Sequence, residues 1–356
     1  MNKIKSGTSW LDTDGKLIQA HGSGMLTMTE NGKPVYYWYG EDKTYGYRPL
    51  VGVHAYKSTD LLNWEDCGVV LRAMETVEEF DEPYFKAVYG ALGEAEKASV
   101  FNDLNKNRAV MERPKVLYNA KNDNYVMWFH ADGPTATSDA NYAKAKAAVA
   151  VSDKPEGPFR LIGSYRLDHY GGEDYLHNPG MARDMTLFQD GDAAYIIYAS
   201  EENYTLYISR LNDDYTMVTS GGVESENYNP IEGEDYVRIF PKLHREAPAL
   251  FKHEGSYYMV TSGCTGWRPN PALYAKAHSV MGEWVNMGDP CVNDTEQTTF
   301  QSQSTCVIPL QPEEGRYLYM GDRWLPEDLC NSTYIWLPLI VKDGKIEIEW
   351  LDEWSL

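Results

Sequence analysis

Five times along the chain a polar residue is followed, four and five positions later, by two apolar ones at the entry to a short apolar run. The stretches are His21-Gly-Ser-Gly-Met-Leu, Glu112-Arg-Pro-Lys-Val-Leu, Arg183-Asp-Met-Thr-Leu-Phe, Glu246-Ala-Pro-Ala-Leu-Phe and Gln303-Ser-Thr-Cys-Val-Ile. Self-similarity of this kind marks a repeat architecture. The segments after these starts are also alike. A turn with Asp, Asn or Gly leads into an aromatic strand, as in Asn31-Gly-Lys-Pro-Val-Tyr-Tyr-Trp-Tyr39 and His253-Glu-Gly-Ser-Tyr-Tyr-Met-Val260, and such pairs are hairpins. A third strand alternates small and apolar residues, as in Val51-Gly-Val-His-Ala-Tyr56 and Ala147-Ala-Val-Ala-Val151. A fourth element is marked by Trp or Phe, in Ser58-Thr-Asp-Leu-Leu-Asn-Trp64, Ser152-Asp-Lys-Pro-Glu-Gly-Pro-Phe159 and His278-Ser-Val-Met-Gly-Glu-Trp284. Four strands in each of five repeats predict an all-β fold: a five-bladed β-propeller with four-stranded antiparallel blades. A β-sandwich would not generate five repeats in phase.

Two segments break the period. Residues 73–109 carry Ala87, Ala91, Ala95 and Ala98 among Glu and Lys, which predicts a helical insertion between the first two blades, either shaping the site or patching the ring's surface. Residues 221–241, rich in Glu, Asn and Gly, read as a loop. Nothing reads as a linker, so a single domain over 1–356 is expected. The chain ends in a strand pattern, Lys345-Ile-Glu-Ile-Glu-Trp350, and a terminal strand is expected to pair with the other end of the chain to close the ring.

Closure would bring the polar starts together at one end of the axis, and with them carboxylates that are remote in sequence. Carboxylates flanking a common space are the machinery of glycoside hydrolysis. Glu246, beside the apolar Ala247, Pro248 and Ala249, is the candidate general acid, because desolvation raises a carboxyl pKa; Arg245 would oppose this if it pointed inward. Glu112 is placed to hold or deprotonate water, with Arg113 beside it to keep it ionised or to reach a sugar hydroxyl. The charge of Asp184 would help Glu246 keep its proton. Gln303 has no useful pKa and is expected to orient a partner. Glu41, after the aromatic run Tyr36-Tyr-Trp-Tyr-Gly40, is a substrate-binding candidate, as are His21, Thr265, Trp267 and Trp324. For His21 and the two Trp, a structural place in the core is the competing expectation.

The formal net charge of -21 repels phosphate backbones and anionic membrane surfaces, so neither nucleic acid nor membrane is an expected partner. Phosphate-binding, dinucleotide, zinc-protease and nucleophile-elbow motifs are absent from the sequence. No metal and no cofactor are called for; a structural axial ion such as calcium would have no recognisable ligand pattern. The 5 Cys are scattered without a CxxC pair, which fits free thiols. The start, Met1-Asn-Lys-Ile-Lys, leads into Ser6-Gly-Thr-Ser-Trp10 rather than an apolar core, so the expectation is no signal peptide and a cytoplasmic location.

Taken together, Ala20-His-Gly-Ser-Gly24, Tyr36-Tyr-Trp-Tyr-Gly-Glu41, Glu112-Arg-Pro-Lys115, Arg183-Asp184, Arg245-Glu-Ala-Pro248 and Ser302-Gln-Ser-Thr305 resemble glycoside hydrolase family 43, a family of inverting five-bladed propellers, and within it the exo-β-1,3-galactanase branch. The resemblance spans nearly the whole chain. It implies that Glu246 is the acid and Asp184 the residue that tunes it. The wider family places an Asp base on the first inner strand, where this chain has His21-Gly-Ser-Gly. That departure argues against arabinofuranosidase or xylosidase activity. In the galactanase branch the water-handling role falls to the Glu matching Glu112 or the Gln matching Gln303. The implied substrate is a β-1,3-linked galacto-oligosaccharide or polysaccharide. A non-catalytic sugar-binding propeller is the alternative that the missing Asp raises, and retention of Glu246 and Asp184 weighs against it.

Overall fold

The computed structural model describes residues 3–172 and 178–356. Its strands form five successive antiparallel sheets, each built in chain order from the inside outwards. The innermost strands are His21–Glu30, Val110–Asn119, Arg183–Asp190, Arg245–His253 and Gln303–Gln311. Each packs against the next, and the fifth packs against the first. This is the predicted five-bladed propeller. The fifth blade gains a short extra strand, Cys291–Val292, parallel to its outer strand Lys345–Glu349.

Side-chain alternation along the second strand of each blade explains why these strands read as continuous apolar runs. Successive residues of a strand point to opposite faces, and here both faces are covered. In blade 1, Tyr37 and Tyr39 pack towards blade 2 while Trp38 packs towards blade 5. In blade 2, Met127 and Phe129 face blade 1 while Val126 and Trp128 face blade 3. Blades 3, 4 and 5 repeat the arrangement with Ile197 against Tyr198, Met259 against Tyr258, and Leu318 against Tyr319. Each blade is therefore a wedge buried between two neighbours.

The closing seam between blades 5 and 1 is the richest in Trp. Trp38 lies 4.9 Å from Trp336 and 5.2 Å from Trp64, and Trp10 meets Trp336 at 4.5 Å with its ring tilted by 36°. Aromatic pairs of this kind are worth about 0.5–1.5 kcal/mol each beyond burial. The termini fasten the same seam. Ile4–Lys5 pairs antiparallel with Glu353–Trp354, and Thr8 bridges to Tyr334. The terminal pairing expected from the sequence is thus a separate two-stranded clasp, and Lys345–Glu349 serves as blade 5's own outer strand.

The insertion is helical, with a turn over Val77–Asp81 and helices α1 (Pro83–Tyr89) and α2 (Glu94–Leu104). Pro83 at the first position of α1 is compatible with a helix start, where its missing N–H costs nothing. Phe80, Phe85, Tyr89, Val100 and Leu104 plug the outer space between blades 1 and 2, and the Tyr89 hydroxyl accepts from Leu161 N at 3.1 Å. The insertion patches the ring and does not line the central cleft. It is tied to the loop after Asn124–Asp132 by Lys144, which pairs with Asp103 at 2.8 Å and donates to Asn102 O at 2.7 Å.

Two expectations need correction. The fourth-strand markers Trp64, Phe159 and Trp284 sit just before the outer strands Glu65–Arg72, Arg160–Tyr165 and Val285–Gly288 rather than inside them. Residues 221–241 are not all loop, because Tyr236–Ile239 forms the outer strand of blade 3. All 5 cysteines are free thiols, as expected. Among the described residues no helix is long and apolar enough to cross a membrane.

Gly40 shows how tightly the entry segment is threaded behind blade 1. A Cβ there would lie 2.1 Å from the Ala20 carbonyl carbon, and a backbone atom cannot rotate away. Gly40→Ala should therefore cost about 3 kcal/mol or more by overpacking. Gly255→Ala, with nothing within 4 Å but φ at 75°, should cost about 1–2 kcal/mol. Urea unfolding of the two variants checks the ranking, and a harmless Gly40→Ala would contradict this packing.

Candidate active site

At the axial end of every inner strand the register slips against the second strand of the blade. The irregularities fall between His21 and Gly24, Glu112 and Lys115, Arg183 and Thr186, Glu246 and Ala249, and Ser304 and Cys306. In four of them the residue after the polar start adopts a left-handed backbone: Gly22 (φ 57°), Arg113 (54°), Asp184 (34°) and Ala247 (54°). A flat strand sends consecutive side chains to opposite faces, whereas a bulge re-aims them. The bulges thus let Glu112 and Arg113, and likewise Arg183 and Asp184, face one cleft. Gly22 has no side chain because the space is taken: a Cβ would collide with the Glu41 carboxylate and lie 3.2 Å from Arg113 N.

The cleft has a volume of about 450 Å³ and sits over the ends of the inner strands. Glu246, Glu112, Asp184, Gln303, Glu41, Arg113, Trp267 and Trp324 all line it, as expected from the sequence. Two expected residues do not. His21 is fully buried, stacked on Tyr334 at 4.9 Å with Trp324 at 5.5 Å, and so props the wall instead of touching the space. Thr265 turns its hydroxyl into its own loop, towards Arg268 O and Asn270.

Arg113 is the hub. Its Nε stands 3.1 Å from Asp184 Oδ2, Nη1 donates to Ser304 O at 3.0 Å, Nη2 donates to Gln303 Oε1 at 2.7 Å, and its backbone N–H donates to Glu41 Oε1 at 2.9 Å. With all three guanidinium nitrogens engaged, it organises four blades rather than reaching for a sugar. It also does not pair with Glu112, contrary to the expectation from their adjacency. Glu41 is completed by Lys43 at 2.7 Å.

Gln303 is held in one orientation. Its carbonyl accepts from Arg113 and, at 3.0 Å, from Trp324 Nε1, and its amide donates at 3.1 Å to both Glu246 Oε1 and Ser262 Oγ. Glu246 is almost wholly buried. Burial above all, then the negative charge of Asp184, pushes its carboxyl up to about 8 against the opposing pull of Arg113. Arg245 points away, to Thr261 and the Pro271 carbonyl, so it does not discharge the acid.

Glu112 is the opposite case. Burial alone would raise it, but His130, Lys43 and the Tyr142 hydroxyl together hold it down to about 2. His130 Nδ1 lies 3.0 Å from its Oε2, off the line of a good hydrogen bond, while Tyr47 and Tyr142 donate to Oε1 at 3.2 and 2.9 Å. His130, Tyr142, Arg183, Asn203 and Cys264 line the cleft without having been singled out as site residues from sequence. His130 was legible in principle, since it stands opposite Glu112 in the hairpin register. Tyr142 comes from a loop that carries no repeat signal.

Glu112, His130 and Asp184 bring possible ligand atoms within 4.8 Å of one another. His130 already holds its Nε2 against Asp132 and its Nδ1 against Glu112, both at 3.0 Å, so the ring is engaged by the protein's own carboxylates. Deeper between the inner strands, the fully buried Lys115 donates to Gly22 O at 2.8 Å.

The profile of glycosyl hydrolases family 43 matches residues 109–308. A solved family 43 β-1,3-galactosidase with galactodeoxynojirimycin is 39% identical over 99% of this chain and 100% of its own, with a TM-score of 0.78. An exo-β-1,3-galactanase from Phanerochaete chrysosporium, a Glu→Gln variant with β-1,3-galactotriose, is 33% identical over 100% of this chain and 68% of its own (TM-score 0.77). One from Clostridium thermocellum is 35% identical over 99% and 66% (TM-score 0.74). Among curated protein sequences none matches significantly.

The raised pKa of Glu246 makes stability depend on pH. A folded-state pKa of about 8 above the ordinary 4.5 means that the native state binds the proton more tightly. The stability this gives is fully present below 4.5 and is lost as pH climbs to about 8. Glu246→Gln escapes that loss. Its melting temperature should exceed the wild type's by a margin that is small at pH 5, grows to pH 8 and is level above. A margin independent of pH would mean that Glu246 titrates normally.

Proposed function

The chain belongs to glycosyl hydrolases family 43, and on that premise we propose that it releases galactose from the end of β-1,3-linked galactans or galacto-oligosaccharides with inversion at the anomeric carbon. The carrying observation is a pair of carboxyls in one cleft held in opposite protonation states: Glu246 keeps its proton near neutral pH while Glu112 does not. An inverting glycosidase needs such a pair, one group to protonate the leaving oxygen and one to receive a proton from water on the opposite face.

Glu246 donates to the glycosidic oxygen. Gln303 fixes the Glu246 carboxyl, and because its own carbonyl and amide are occupied it acts by orientation. Glu112, anionic and aligned by Tyr47 and Tyr142, accepts from the attacking water. A carboxylate near pKa 2 is a weak base towards free water, but the water becomes far more acidic as its oxygen bonds to the anomeric carbon. Asp184 holds Glu246 protonated, and Arg113 holds Asp184. Trp267, which is half exposed, meets Trp324 edge-on at 5.1 Å, giving the cleft an aromatic wall against which a sugar face can rest. Every acid–base part is a side chain, so the reaction as written requires no cofactor.

Incubation with β-1,3-galactobiose, followed by proton NMR, should show galactose released first as the α anomer. Glu246→Gln should lower kcat by about 10²–10⁴-fold while binding of the disaccharide persists. Release of the β anomer would refute inversion. Binding without turnover by the wild type would leave a sugar-binding propeller.

A further inference from the structure

We propose that His130, held as an imidazolium by Asp132, is the positioning residue that keeps the Glu112 carboxylate ionised and fixed in the cleft. The inference deepens the glycosidase reading and rests on it for its kinetic consequence.

The surroundings of the ring set its charge. His130 is buried, at 1% exposure. Its Nε2 lies 3.0 Å from Asp132 Oδ2 and its Nδ1 lies 3.0 Å from Glu112 Oε2. A neutral imidazole has one N–H and one lone pair. Nε2 is hydrogen-bonded to Asp132, and Nδ1 stands 3.0 Å from Glu112 Oε2 in ion-pair contact, off the line of a hydrogen bond; two carboxylates at this distance favour the doubly protonated, positive ring.

Asp132 is itself committed to its charge. Its Oδ1 accepts from three backbone N–H groups, those of Gly133, Lys144 and Ala145, at 2.9, 2.9 and 3.0 Å. Arg183 Nε stands 3.3 Å from Oδ2. Asp132 is lowered, since those bonds and His130 outweigh burial. It does not line the cleft, and His130 is the side chain that touches both it and Glu112.

The remaining groups around the pair do not supply the same charge. Tyr47 and Tyr142 meet Glu112 with neutral hydroxyls, and the Tyr142 ring lies 6.1 Å from the imidazole. Lys43 helps, but its ammonium is bound to Glu41. Arg183 is on Asp132, and Arg113 is on Asp184. Asp184 and Glu246 oppose ionisation of Glu112 when charged. His130 is thus the cation in direct contact with Glu112.

Ring nitrogen NMR of the wild type decides the charge without any turnover. Both His130 nitrogens should carry protons at pH 7 and titrate near pH 9, and Asp132→Asn should bring that titration down. A ring that is neutral at pH 7 in the wild type would overturn the proposal. The kinetic arm follows kcat/KM for galactobiose against pH. Asp132→Asn and His130→Gln should move the acid limb up by about 1–3 pH units and leave the alkaline limb set by Glu246 in place, whereas Asp132→Glu, which keeps the carboxylate, should move the acid limb less. A uniform loss of rate with both limbs unmoved would show a merely structural role. If the wild type cleaves no β-1,3-galactoside, the glycosidase reading falls, while the ring titration still decides the state of His130.

Discussion

The left-handed bulge at the start of four of the five inner strands is the constraint on which the site depends. Without it, strand alternation would turn one of each adjacent polar pair into the wedge between blades, where the second strands have already filled both faces with aromatic and aliphatic side chains. With it, Glu112 and Arg113 face the cleft together, as do Arg183 and Asp184. The left-handed backbone at Arg113, Asp184 and Ala247 costs about 1–3 kcal/mol at each such residue. The surrounding bonds offset it: Arg113 N–H finds Glu41, and Ser304 Oγ donates to Ala247 O at 2.6 Å. Strain, bulge and function are carried by the same few residues.

Once gathered, like groups are made unlike by their partners. Four carboxylates, those of Glu41, Glu112, Asp184 and Glu246, line a single cleft in a chain of net charge -21, and Glu41 has Lys43. Asp184 has Arg113, Glu112 has His130 and the tyrosine hydroxyls, and Glu246 has only a neutral amide and a thiol-lined wall. The paired Glu112 keeps its charge, and the unpaired buried Glu246 keeps its proton. The assignment of acid and acceptor is therefore a statement about neighbours, and the neighbours come from adjacent blades: Arg113 serves Asp184 of the next blade, and Arg183 in turn serves Asp132 of the previous one.

The repeat period was legible because each blade must begin, turn and bury both faces in the same way, and it located the ring, the insertion and most of the cleft. Glu246 and Asp184 were legible as cleft residues for the same reason. What sequence adjacency misled about was pairing. Glu112 and Arg113 are neighbours in the chain but not partners, because the bulge sends the guanidinium across the axis. His21 shares the phase of Glu112 yet is buried, since Gly22 yields its place to Glu41. Thr265 is a polar residue near Trp267 in the chain, and only the local turn shows that its hydroxyl is spent within its own loop. His130 and Asp132 lay outside any motif because their role depends on cross-strand register and on a loop's backbone amides.

The most direct test of this account is the ionisation of Glu246 itself, followed through its carboxyl carbon resonance from pH 4 to pH 10 and assigned by its absence in Glu246→Gln. A midpoint near 8 that falls in Asp184→Asn is the predicted result. A midpoint near the ordinary 4.5, unmoved by that substitution, would contradict the claim that burial and a gathered neighbour charge make this residue the acid.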